Sequence, residues 1–141
     1  MNNVKRADLL FTAAEESLLQ GEFSFRRKVW NLSIRRAQEA VELSLTGILA
    51  LFGVHYPKDH DQAPLAIRLL SNNGFDLGNK SQKIQEISID LSRKRGPALH
   101  QEEGYDLETA RKGLDDAKFV LTTVQEVRQA LLRKIAAKAG K

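Results

Sequence analysis

The sequence predicts an all-α protein: an up-down bundle of four main helices plus one short helix. Three observations carry that expectation. Trp30, Ile34, Ala37, Val41, Leu45, Ile48 and Phe52 recur at steps of three or four, so they share one helical face. Two later stretches repeat the pattern, with Ile84, Ile87 and Leu91 in one and Leu107, Ala110, Leu114, Ala117, Leu121 and Val124 in the other. No stretch of useful length alternates apolar and polar residues, so no strand is expected. There is no internal repeat and no low-complexity block.

The elements follow in order. Asn3 can cap a first helix that buries Ala7, Leu10, Phe11, Ala14 and Leu18 and ends at Gly21. A short turn then leads into the organising run, Ser24 to Phe52, a helix of roughly 40 Å stopped by Gly53. So short a link makes the two helices antiparallel neighbours. Ala40, Ser44 and Gly47 form a line of small residues on the long helix. A glycine in mid-helix costs about 1 kcal/mol relative to alanine, and close approach of another backbone is the expected return.

A loop from Gly53 to His60 contains Pro57. Asp61 is the expected N-cap of a short helix, with Pro64 in its first turn and Leu65, Leu69 and Leu70 on its apolar side. Asn72-Asn73-Gly74 closes it. Asn79 or Ser81 opens a fourth helix, which Gly96-Pro97 is expected to terminate. Asp106 caps the last helix, with Glu108 in its first turn favouring the helix dipole. Lys138 to Lys141 reads as a frayed basic tail. The expected organisation is one domain over residues 1–141, with its core at about 3–135 and a tail at 136–141.

With 141 residues the chain is long enough for a real core. No apolar run approaches the roughly 18 residues a membrane span needs, and the N-terminus lacks a signal peptide's apolar core. No membrane association is expected, and the expected location is the cytoplasm. The absence of cysteine excludes disulfides, thiolate metal sites and cysteine nucleophiles. A net charge of +4 permits nucleic-acid contact without demanding it. The basic residues cluster, at Arg26-Arg27-Lys28, Arg35-Arg36, Arg93-Lys94-Arg95, Arg111-Lys112 and Arg133-Lys134.

The most informative spot is Arg95-Gly96-Pro97-Ala98-Leu99-His100. Arg95 continues the stripe of Ile87 and Leu91, whereas Arg93 and Lys94 turn away. An arginine in line with a buried face points toward a groove, a partner or another chain. If the helix breaks at Gly96-Pro97, His100 could converge with it. A guanidinium holds phosphate through two parallel hydrogen bonds, and an imidazole gives or takes a proton near neutrality. Together they could cut RNA without metal, with His100 moving the proton and Arg95 stabilising charge on the phosphoryl oxygens. A symmetric dimer would bring two of each to one cleft and so supply both an acid and a base. The plainer reading pairs Arg95 with a carboxylate and leaves His100 in a loop.

Other groups have plain accounts. Arg35 and Arg36 with Glu39 and Glu42 are ordinary helix-surface pairs, or a polar patch beside the groove. His55, Asp59, His60 and Asp61 have metal-ligand chemistry, but capping and loop polarity explain them more simply, so no metal and no cofactor is expected. Trp30 belongs to the core or to a dimer interface. No glycine-rich phosphate loop, GxSxG turn or HExxH helix is present.

The order and spacing of four stretches resemble the HEPN-domain family. They are Arg35-Arg36-Ala37-Gln38-Glu39-Ala40-Val41-Glu42, the loop ending His60-Asp61, Arg95 to His100, and Asp106 to Val120 with Asp115-Asp116-Ala117. They cover roughly residues 5 to 128. The resemblance implies a bundle of four to five helices, usually dimeric. Many such proteins are metal-independent endoribonucleases that use an arginine, four to six spacer residues and a histidine, and Arg95 and His100 match that pattern. Many act as toxins, some beside a minimal nucleotidyltransferase antitoxin; others are non-catalytic binding modules. On this resemblance Arg95 and His100 are the candidate catalytic pair, and Arg35, Arg36, Arg93 and Lys94 are candidate RNA contacts. The chain departs from the pattern at Gly96, where a polar residue is common, and at Glu102, where the toxin subclass carries a tyrosine that its antitoxin can modify. Tyr105 is the nearest tyrosine and the candidate regulatory residue.

Overall fold

The computed structural model describes residues 1–55 and 61–140. Five helices follow in order: α1 (Asn3–Arg26), α2 (Trp30–Leu51), α3 (Ala63–Asn72), α4 (Asn79–Leu99) and α5 (Leu107–Ala139). The described residues contain no strand. Pro57, Asp59 and His60 lie outside the described residues.

The central helix is α2, which touches each of the other four. Its predicted stripe is buried at Ile34, Ala37, Val41, Leu45 and Ile48. Buried on its flanks are Ser33 and Ser44, whose hydroxyls donate to the carbonyls of Val29 and Val41, so neither is left without a partner. Two apolar clusters result. The larger one joins all five helices. The smaller one packs Ile34, Ala98 and Ala110 against Phe25, Trp30 and Tyr105. Trp30 meets Phe25 edge-on, with ring centroids 5.1 Å apart.

The boundary between the first two helices differs from expectation. The first helix runs straight through Gly21, and the second begins at Trp30 rather than Ser24. Gly21 is a packing glycine: an added Cβ would lie 2.8 Å from Leu114 Cδ2 and 3.1 Å from Arg36 Cβ. The reversal occurs instead at Arg27-Lys28-Val29. Lys28 takes the left-handed conformation at φ 65°, and its N–H donates to Phe25. The Val29 N–H reaches back to Ser24, which completes a Schellman-type stop without glycine. Asn2, one residue before the expected cap, accepts from the Lys5 N–H.

Gly47 admits a ring rather than a backbone, since an added Cβ would stand 2.6 Å from Phe11 Cε1. Phe11 also carries Arg128, whose guanidinium lies 4.5 Å from the ring centroid and bonds Asp8 at 2.7 Å. Asp61 acts at the start of α3, though one residue before the formal cap. Its carboxylate accepts from the Ala63 N–H and from the Ser88 hydroxyl of α4. Asp106 caps α5 as expected. Its bond from the Thr109 N–H holds its carboxyl below the usual carboxylate range. The C-terminal basic residues up to Lys138 continue α5 instead of fraying. No helix among the described residues is long and apolar enough to cross a membrane.

Candidate functional site

Helix α4 does not stop at Gly96-Pro97. It continues to Leu99, with Pro97 inside it. Proline offers no N–H to the Arg93 carbonyl, so one bond of the helix is missing in its last turns. The stop comes later. The His100 N–H donates to Gly96 and the Glu102 N–H to Pro97, with Gln101 left-handed at φ 56°. His100 is therefore the residue that closes the helix.

Asn31, in the first turn of α2, fixes the chain beyond that stop. Its amide donates to Gln101 Oε1 at 2.9 Å and to the Glu103 carbonyl at 2.8 Å, while its own carbonyl accepts from the Tyr105 N–H at 3.0 Å. The α1–α2 turn and the α4–α5 loop thus lie at one end of the bundle. Sequence reasoning did not single out Asn31. Its partners stand some seventy positions away, and no local spacing signals such a bond.

The continuous helix separates Arg95 from His100. Five residues at about 100° each place them roughly 140° apart around the axis. His100 lies in line with Ile89, Arg93 and Gly96 on the outward side of α4, opposite buried Leu91 and Ala98. Arg95 is exposed on the flank of the buried side. It lines a groove of about 310 Å³ with Leu10 of α1 and Glu39, Glu42, Leu43 and Thr46 of α2. The groove expected beside Arg95 is present. The expected convergence with His100 does not occur within one subunit, because the helix does not break between them.

Among the described residues Arg95 and Arg93 make no ion pair, whereas the other candidate cations do. Arg36 reaches Glu39 at 2.8 Å and Arg35 stands 3.6 Å from the same carboxylate, so Glu39 is shared. Lys94 bonds Asp90 at 2.7 Å. Gln38 donates to Glu42 at 3.3 Å, while its buried carbonyl oxygen and the Arg35 Nε find no hydrogen-bond partner among the described residues. Arg95 thus shares its groove with the carboxylates of Glu39 and Glu42, the first of which Arg35 and Arg36 already engage.

Tyr105 is a packing residue of the smaller cluster. Burial, then the nearby Glu103 and Asp90 carboxylates, raise its phenol above its ordinary value, so it is neutral at physiological pH. Asp61 is engaged at α3, and the described residues hold no group of three potential metal ligands.

A helical bundle with an exposed arginine and histidine at the end of its fourth helix defines a class rather than an activity. The family comparison narrows it. The model of the HEPN domain matches residues 7–127, and the chain belongs to that family. No curated protein and no solved structure matches it.

Proposed function

We propose that this protein is a cytoplasmic, metal-independent endoribonuclease that works as a homodimer. The single observation that carries this reading is the placement of Arg95: a guanidinium without a carboxylate partner among the described residues, opening on a groove. A phosphodiester is the natural ligand of such a group. His100 supplies the proton chemistry. One subunit keeps the two apart, so the reading requires a second copy. The outward line of Ile89, Arg93, Gly96 and His100 on α4 suits that copy. Ile89 is a large apolar side chain left exposed there, and a Cβ at Gly96 would meet nothing. Pairing α4 with its two-fold mate would bring two histidines to one cleft, and each Arg95 would have to reach round α4 from its groove to join them. One imidazole would take the 2′-hydroxyl proton, the other would protonate the leaving 5′-oxygen, and the arginines would stabilise the charge on the phosphorane oxygens. The products would be a 2′,3′-cyclic phosphate and a 5′-hydroxyl. A minimal nucleotidyltransferase antitoxin would be the natural restraint on such a toxin-like activity.

The test is cleavage of mixed-sequence RNA in the presence of a chelator. Wild type should cut. His100→Ala should lose about a hundredfold or more, the usual worth of a positioned acid or base. Arg95→Ala should lose a comparable factor. Activity that survives His100→Ala rejects the role given to His100. An inactive wild type would instead favour a non-catalytic module that binds a nucleotidyltransferase or a nucleotide.

A further inference from the structure

The α1–α2 corner carries features that neither packing nor the Arg95 groove uses. Arg26, Arg27 and Lys28 are consecutive and exposed, and none makes an ion pair among the described residues. Beside them Phe23 is 55% exposed. The guanidiniums of Arg26 and Arg27 lie 6.0 and 5.8 Å from its ring centroid. A shallow groove of about 250 Å³ opens here, lined by Phe23, Arg27, Val29, Leu32 and Arg36 among others. Arg111 of α5 stacks on Phe25 at 3.9 Å, which adds a fourth cation to this end of the bundle.

One basic residue near the end of α1 would complement its dipole. Three in a row exceed that need. Lys28 also occupies a left-handed position that glycine fills at lower cost, so a cation stands where the backbone prefers none. The next turn of chain holds Asn31, which is bonded to the loop that follows His100. The corner and His100 therefore share one end of the molecule.

We propose that this corner is the landing site of a single-stranded RNA. Its phosphates would run along Arg26, Arg27 and Lys28, and one base would stack on Phe23 in the groove beside Val29. Charge complementarity selects a polyanion. The bare ring among cations selects unpaired bases, since a duplex hides its base faces and a single strand presents them. The proposal rests on the ribonuclease reading for the direction of the strand, toward His100, but not for its chemistry.

The test is fluorescence anisotropy with a labelled oligoribonucleotide of about ten nucleotides. It is made on the folded His100→Ala protein, so that binding is read without cleavage. The double variant Arg26→Gln/Arg27→Gln should weaken binding about tenfold or more and lower the salt slope by about 1 to 2. Phe23→Ser should weaken it about tenfold with the slope unchanged. A duplex of equal charge should bind more weakly than the single strand. Each variant's circular dichroism must match the parent, as expected for exposed side chains. Unchanged affinity in both variants overturns the landing site and leaves the ribonuclease reading standing. Equal binding of poly-aspartate also overturns it, because the corner would then be a face for acidic proteins. Binding that fails in these variants, beside a wild type that binds but never cuts, keeps the landing site and rejects the nuclease.

Discussion

Single residues in this bundle are placed against their ordinary preferences where a turn or a contact demands it. Lys28 and Gln101 both hold left-handed backbones at helix ends. Gln101 has a visible reason, its side-chain bond to Asn31. Lys28 has no such bond among the described residues. Lys28→Gly should therefore raise unfolding stability by about 0.5–1 kcal/mol in a denaturant titration, the left-handed cost relieved less the added chain entropy. A loss of stability would show that the lysine makes a contact that offsets its strain. The sequence hides this position. Three basic residues read as a charged run, and only the coordinates reveal that the middle of the turn is a non-glycine in a glycine conformation.

Elements were more legible than their edges. The stripes of α2, α4 and α5 announced themselves because their buried residues fall at helical spacing, although Leu107, at the head of the expected α5 stripe, is 51% exposed. Glycine and proline misled in three places. Gly21 and Gly47 look like a stop and a backbone contact, yet each makes room for a neighbouring side chain. Gly96-Pro97 looks like a break, yet α4 runs through it to Leu99 with the loss of one helix bond. One correction changes the site, because a continuous α4 separates Arg95 from His100. The packing account of Gly47 has its own consequence. Gly47→Ala should destabilise by about 1–3 kcal/mol, as overpacked cores do, since any shift of Phe11 must carry Arg128 with it. An unchanged midpoint in chemical denaturation would mean that the ring moves aside.

At the scale of the whole molecule, the family was legible from the order of four short stretches, and the match over residues 7–127 bears it out. The candidate site was legible only in part. Residue types and spacing named Arg95 and His100. The pairing of Arg35 and Arg36 with Glu39 was also legible, since they stand three and four residues apart on one helix, whereas that of Lys94 with Asp90 was not singled out. Nor could residue types and spacing show that one subunit holds Arg95 and His100 on different faces. That geometry makes the second copy essential to the proposed chemistry, with two imidazoles serving one cleft. Mixing wild-type with His100→Ala subunits at fixed total concentration tests this directly. If both histidines serve one cleft, RNA cleavage follows the square of the wild-type fraction, and an equal mixture retains about a quarter of full activity. Cleavage that falls in simple proportion, with about half remaining at equal mixing, would mean that each subunit cuts alone and would contradict the shared cleft.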